Sequence, residues 1–138
     1  LRVKKQMDNA DKLARALEKD PHVIKVNYPT VEKYPQKELA KKLFKNSNMC
    51  GAMLSFEMPS DREKINEFMK RLNICHYAPT LGGVRTTMSH PATSSHRDLP
   101  EEMKKALGIT EGLMRISVGI EEPEDLIADF TQALKAFD

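Results

Sequence analysis

The 138-residue sequence has no tryptophan, only two cysteines and no long apolar run. Two cysteines allow at most one disulfide, so we expect Cys50 and Cys75 to be buried thiols in a reducing, cytoplasmic compartment. No apolar run approaches the roughly 20 residues of a membrane-spanning helix, and there is no signal-peptide pattern, so we expect no membrane partner. With 22 basic and 20 acidic residues, the net charge of +2 is too balanced to indicate a nucleic-acid partner.

Several motifs that carry chemistry are also missing. The sequence contains neither a glycine-rich phosphate-binding fingerprint nor a G-x-S-x-G nucleophile elbow. Composition alone leaves a Ser–His–acid triad open. The histidine and cysteine spacings fit no compact zinc site, so we predict no metal and expect solvated or capping histidines at His22, His76, His90 and His96.

The sequence contains the material of one ordinary domain, since a chain of this length buries about two-thirds of its surface. It begins at Leu1 rather than Met, directly on a helical pattern, so we expect a trimmed chain or an artificial boundary.

Apolar periodicity predicts alternating helices and strands. We expect helices over 1–19, 36–45, 60–73, 100–107 and 126–137, and extended segments over 22–28, 50–57, 75–79, 84–89 and 113–118. Ser60 and Glu63 form an S-x-x-E pattern that predicts a helix start, and Gly108 suits a left-handed helix end. The result is an α+β domain, a small sheet with helices mainly on one face, of which the strand order cannot be derived.

The strand 113–118 carries the most informative residue. Alternation places Met114, Ile116 and Val118 on a packing face, and Arg115 on the opposite face of a very apolar segment. A guanidinium binds a carboxylate or phosphate through two parallel hydrogen bonds, so Arg115 is a candidate anion-binding residue. The alternatives are a charge that protects a sheet edge or a partner for a nearby glutamate.

The residues 80–83 must turn, because paired glycines allow backbone angles that other residues avoid. A ligand could approach the backbone of this turn closely. Two glycines alone are a weak signal, and a purely structural turn is the simpler interpretation.

Six segments follow one another along the chain in a recognisable order: Val26-Asn27-Tyr28-Pro29, Met53-Leu54-Ser55-Phe56-Glu57, Leu81-Gly82-Gly83-Val84, Ser89-His90-Pro91-Ala92, Arg115-Ile116-Ser117-Val118-Gly119-Ile120-Glu121 and Glu124-Asp125-Leu126. In this order they resemble the C-terminal region of the Cys/Met-metabolism pyridoxal-phosphate enzymes, the family of cystathionine γ-synthase, the cystathionine lyases and methionine γ-lyase.

The resemblance implies a mainly antiparallel sheet and a single C-terminal substrate-binding domain over residues 1–138. It implies that Arg115 clamps the α-carboxylate of a sulfur-containing amino acid, with the backbone of Thr80 and Leu81 helping to orient it. Pyridoxal 5'-phosphate would be held by the large domain of the full-length chain, which also supplies the Schiff-base lysine. We therefore expect no catalytic residue and no bound cofactor in this chain, and a homo-oligomer, expected as a tetramer, for the full-length lyase or transferase.

Two positions depart from the family pattern. Thr80 stands where the family has serine, a mild change for a residue that acts mainly through its backbone. Arg85 stands where many γ-acting members have glutamate, so it is a candidate specificity residue that favours substrates with an anionic distal group. The competing hypothesis from a different class is a non-catalytic α+β module for binding or assembly.

Overall fold

The computed structural model describes residues 1–46 and 48–138. In chain order the elements are α1 (Arg2–Lys19), β1 (Lys25–Asn27), α2 (Lys37–Leu43), β2 (Met53–Glu57), α3 (Arg62–Arg71), β3 (His76–Tyr77), β4 (Thr87–Ser89), α4 (Glu101–Ala106), β5 (Leu113–Ser117) and α5 (Pro123–Leu134). Single 3₁₀ turns occupy Pro91–Thr93 and Lys135–Phe137. No helix among the described residues has the length and apolar character needed to cross a membrane.

The five strands form one sheet in the order β1-β2-β5-β4-β3. Three of the four pairings are antiparallel, and β3 pairs with β4 in parallel. The prediction of a mainly antiparallel sheet is confirmed. Strand β5, the last in sequence, lies in the middle, so its backbone is hydrogen-bonded to a neighbouring strand on each side.

Helices α1, α3 and α5 pack on one face of this sheet. Three aromatic rings meet at the centre of the core, Phe56 from β2, Phe68 from α3 and Phe130 from α5, with ring centroids 6.1 to 6.2 Å apart. The predicted packing face of β5 is confirmed, because Met114 and Ile116 are fully buried in the same core. The opposite face of the sheet carries mostly polar side chains, although Met53 and Leu113 also lie there.

The predicted S-x-x-E start of α3 is wrong by one residue. The helix begins at Arg62, and its N-cap is Asp61, whose carboxylate accepts a hydrogen bond from the Lys64 N–H at 3.2 Å. An ionised carboxylate is at least as good an N-cap as a serine hydroxyl, so Asp61 takes the position that the pattern assigned to Ser60.

Other boundaries shift without changing the architecture. The predicted strand 75–79 contracts to His76–Tyr77, and α4 begins directly after Pro100, which is its N-cap rather than part of its first turn. The left-handed end of α4 is confirmed: Gly108 has a φ of +73°, and the Ile109 N–H donates back to the Lys104 carbonyl at 2.8 Å.

Candidate functional site

Arg115 lies in the middle of the central strand, on the face away from the helices. Strand pairing places it directly opposite Ser55 on β2 and Ser89 on β4. Beyond Ser55, the Asn27 amide donates to the Ser55 hydroxyl at 3.0 Å. A half-buried guanidinium thus stands in a row of small polar side chains that crosses four strands.

The turn 79–83 folds over the same face of the sheet. The Arg115 Nη2 donates to the Pro79 carbonyl at 3.3 Å, the Thr87 hydroxyl donates to the Thr80 carbonyl at 3.1 Å, and the Gly82 N–H donates to the Ser117 hydroxyl at 2.9 Å. Strands β4 and β5 therefore fix the turn beside the arginine.

The two predicted binding residues of the turn lie beside the guanidinium but do not hold it. Thr80 and Leu81 are both exposed, and it is the carbonyl of the preceding residue that contacts Arg115. Gly82 has a φ of +74°, which explains why this turn position is a glycine.

The segment that follows the turn is held by Glu121. Its carboxylate accepts from the Thr86 N–H at 2.6 Å and from the Thr86 hydroxyl at 2.8 Å, and that hydroxyl accepts in turn from the Gly119 N–H at 2.9 Å. The Ile120 N–H donates to the Val84 carbonyl at 2.9 Å. Hydrogen bonds from residues 119–121 thus fix the backbone on both sides of Arg85, at Val84 and at Thr86.

Gly119 allows this close approach. A Cβ at this position would lie 2.3 Å from the Val84 carbonyl oxygen and 2.7 Å from the Arg85 carbonyl carbon. Only a residue without a side chain lets the two backbones meet there.

Helix α1 supports both segments from the other side. The buried Asn9 amide donates to the carbonyls of Gly119, at 3.1 Å, and Glu121, at 2.6 Å, and the Gln6 amide donates to the Gly83 carbonyl at 2.7 Å. The sequence alone predicts no role for the side-chain amides of Asn9 and Gln6. A polar side chain inside the apolar stripe of α1 was the available signal, because a buried amide needs partners.

Arg85 projects from this fixed segment and contacts a histidine. Its Nη2 donates to the Nε2 of His76 on β3, at 2.5 Å. The two side chains line an open groove of about 390 Å³ together with the turn, through Thr80 and Gly83, and with Thr87. Neither Arg85 nor Arg115 has a carboxylate in ion-pair contact within residues 1–46 and 48–138.

Two other histidines have structural positions. His90, which we expected to be solvated or capping, is only 2% exposed: its Nε2 lies 2.5 Å from the Glu111 carbonyl oxygen and its Nδ1 lies 3.0 Å from the Thr93 hydroxyl. His22 lies between carboxylates of Asp20 and Asp138. In the described part of the chain, no three His, Cys, Asp or Glu side chains are grouped to hold a metal ion.

The site can bind anions through two guanidinium groups on one face, and it can present a backbone turn to whatever is bound. Among the described residues, no lysine amine hydrogen-bonds to Arg115 or to the turn 79–83, and a lysine amine is the group that would bind an aldehyde cofactor covalently. The residues present therefore do not fit pyridoxal phosphate, and no chemical step through that group can be derived from this chain.

A family model described as Cys/Met metabolism PLP-dependent enzyme matches residues 1–135. An L-methionine gamma-lyase of Fusobacterium nucleatum subsp. polymorphum is 39% identical over 98% of this chain and 33% of its own length. A cystathionine beta-lyase of Bacillus subtilis is 39% identical over 98% of this chain and 34% of its length.

Solved structures agree with these sequence matches. The chain is similar to a putative O-acetylhomoserine (thiol)-lyase of Campylobacter jejuni that contains N'-pyridoxyl-lysine-5'-monophosphate, with a TM-score of 0.89 and 36% identity over 97% of this chain and 31% of that one. It is also similar to a cystathionine gamma synthase of Xanthomonas oryzae pv. oryzae, with a TM-score of 0.88 and 34% identity over 98% of this chain and 34% of that one. The chain spans about a third of the length of the relatives it matches.

Proposed function

Since the chain belongs to the Cys/Met metabolism PLP-dependent enzyme family, we propose that it is the C-terminal substrate-binding domain of a cytoplasmic trans-sulfuration enzyme, with residues 1–138 forming one domain. The complete enzyme acts on a sulfur-containing amino acid such as cystathionine, homocysteine or methionine, by C–S elimination or by γ-replacement. The large domain of the same polypeptide binds pyridoxal phosphate and supplies the Schiff-base lysine, and the enzyme assembles as a homo-oligomer, expected as a tetramer.

The role of this chain is to bind the substrate α-carboxylate through Arg115. The observation that carries the proposal is the position of Arg115, at the centre of the central strand and beside a turn fixed by Ser117 and Thr87. A guanidinium binds a carboxylate through two parallel hydrogen bonds, which fixes its direction as well as its position. The exposed backbone of Thr80 and Leu81 lies next to that carboxylate and contacts the rest of the amino acid.

Holding the carboxylate in this way orients the bonds at the α-carbon. Correct orientation of bound reactants removes a large part of an activation barrier, since the entropy of positioning is lost on binding rather than in the transition state. Arg115 therefore contributes to catalysis by positioning the substrate, while the electron-withdrawing chemistry comes from the cofactor. A non-catalytic module is the weaker alternative, since both solved and curated relatives are enzymes of this one family.

The clamp can be tested on the chain itself by NMR titration with L-methionine and with L-methioninol, which lacks the carboxylate. We expect the Arg115 Nε–H signal and the amides of the turn to shift with methionine alone. Arg115→Leu should weaken binding by about tenfold or more, because a charge-assisted pair is lost. Arg97→Leu, at an exposed arginine far from the turn in sequence, is the matched control. Equal shifts with methioninol would contradict the clamp.

A second test concerns the division of work between the domains. We expect the 138-residue chain to form no stable internal aldimine when it is mixed with pyridoxal phosphate, and to turn over no substrate. The measurement is the absorbance spectrum after gel filtration. A persistent yellow aldimine band in the protein fraction would contradict this division.

We further propose that Arg85 selects among substrates. In the full-length enzyme, Arg85→Glu is expected to change the order of preference across a panel of substrates more than the highest rate. Assays of pyruvate, 2-oxobutyrate and cystathionine formation would measure both the preference and the reaction type. Equal losses for every substrate would contradict a selective role.

A further inference from the structure

We propose that His76 and Arg85 together form a second anion-binding subsite, which takes a distal phosphate or carboxylate while Arg115 holds the α-carboxylate. This inference rests on the proposed function for the identity of the ligand. It adds His76 as a specificity-determining residue and defines the substrate class as amino acids with an anion at both ends.

The two subsites lie on the same face of the sheet. His76 pairs with Thr87, and Thr87 pairs with Ser117, which is two residues from Arg115 on β5. His76 is two strands away from β5 and is level with Ser117, which is two residues from Arg115. Standard strand spacing and rise therefore put the Cα atoms of His76 and Arg115 about 12 Å apart. Both arginine side chains are long, so their charged ends can converge on a single amino acid from opposite ends.

The charge at this subsite is uncompensated. A guanidinium can only donate, so the His76 Nε2 that lies 2.5 Å from Arg85 accepts its hydrogen bond and fixes the position of the guanidinium. The described residues offer no carboxylate in contact with Arg85. An anion entering the groove therefore meets a positioned cation without a counter-charge.

The backbone at this position is held rigidly, although Arg85 is an exposed residue. Glu121 binds Thr86 through two hydrogen bonds, and the absence of a side chain at Gly119 lets the Val84 and Arg85 backbones lie against it. Binding groups on a rigid backbone lose less entropy when a ligand is bound, which favours recognition here.

Inorganic phosphate is the first probe, because it can occupy the His76–Arg85 subsite without any carboxylate clamp. Phosphate should shift the His76 ring C–H signals in the unmodified chain, in Arg115→Leu and in the control Arg97→Met. In Arg85→Met the binding should be about tenfold weaker, which is the loss of one charge-assisted hydrogen-bond pair. In His76→Gln the amides of residues 80–86 serve as reporters and should show weaker binding.

Two outcomes would overturn the subsite: no His76 shift with phosphate, or the same affinity in Arg85→Met as in the unmodified chain. Either result leaves the Arg115 clamp untouched, since that clamp is tested with methionine. Chemical shifts elsewhere in the amide spectrum show whether each variant keeps its fold.

The second probe is O-phospho-L-homoserine, compared with L-methionine and with phosphate. If both subsites act together, the phosphorylated amino acid binds tighter than either of the other two, and this advantage over methionine disappears in Arg85→Met. If Arg115 does not bind carboxylates, the phosphorylated amino acid binds no better than phosphate alone. An advantage over methionine that persists in Arg85→Met and in His76→Gln would overturn the subsite.

Discussion

Cys75 lies directly before β3, where its N–H donates to the buried Asp129 carboxylate and its side chain is only 5% exposed. Burial, and secondarily the nearby Asp129 charge, raises the pKa of the Cys75 thiol to about 12. The thiol pKa of the half-buried Cys50 is also raised, mainly by burial. Both residues are thiols rather than a disulfide, as predicted, but only Cys75 is fully buried.

The difference in burial between Cys50 and Cys75 predicts that an alkylating reagent modifies Cys50 selectively. At pH 8 in the native state, iodoacetamide should modify Cys50 and leave Cys75 intact, because the thiolate is the reactive form and Cys75 is both protonated and inaccessible. Mass spectrometry of tryptic peptides measures the two sites. Denaturant should make the two rates similar, and equal rates in the native state would contradict the prediction.

The same group predicts how stability depends on pH. A thiol with a raised folded-state pKa keeps its proton in the folded chain where the unfolded chain has released it. Its contribution to stability is therefore complete below the unfolded pKa near 9 and is lost as the pH rises towards about 12. Urea unfolding should lose about 1.4 kcal/mol per pH unit in this window from this group. In Cys75→Ala the decline should be shallower, although Tyr28, whose pKa burial also raises, still contributes.

At the scale of elements, the backbone contact between residues 119–121 and residues 84–86 depends on the absence of a side chain at Gly119. Gly119→Ala should lower the free energy of unfolding by about 1–3 kcal/mol, because the new methyl group would overlap backbone atoms. The matched control is Gly83→Ala, where a Cβ meets nothing within 4 Å. That change should stay within about 0.5 kcal/mol. Urea titrations compare the two, and a similar loss in both would contradict the role of the contact.

A buried carboxylate joins α5 to the connection between α3 and β3. Asp129 accepts from the N–H groups of Asn73, Ile74 and Cys75 at 2.8 to 3.2 Å. Asp129→Ala leaves these donors without a partner and should cost about 2–3 kcal/mol of stability. Asp98→Ala, at a carboxylate 92% exposed, should cost at most about 0.5 kcal/mol. Equal costs by urea unfolding would show that the three hydrogen bonds contribute nothing.

These elements also show how far the sequence alone carries the fold and the site. Periodicity found every helix and strand, and it predicted the buried face of β5, because those features depend on local spacing. Strand order could not be predicted, since β5 reaches the centre of the sheet through pairings distant in sequence. For the same reason the contacts of Glu121 with Thr86, and of His76 with Arg85, were missed: their partners are 35 and 9 residues away. His90 takes a capping position, as the N-cap of the 3₁₀ turn, but its burial could not be predicted, because a histidine in a polar stretch gives no sign of burial.

At the scale of the whole molecule, the two faces of the sheet predict where the proposed large domain would dock. The helix face is closed by α1, α3 and α5, whereas the turn and its surroundings stay open. Leu81 is 63% exposed, and Val84 and Ile120, whose backbones are hydrogen-bonded to each other, are 48% and 40% exposed. These exposed apolar side chains at and after the turn are suited to contact with the proposed large domain, which would complete the site around Arg115.

Hydrogen exchange can test this arrangement by comparing the 138-residue chain with the full-length enzyme. The exchange rates of the amides of residues 80–86 should fall by about tenfold or more in the full-length protein, because a docked domain excludes water and restrains local opening there. The amides of α3, whose helix lies on the closed face, should serve as the internal control and change little. Protection of α3 without protection of the turn would mean that the other face docks, and Arg115 would then lie outside the shared site.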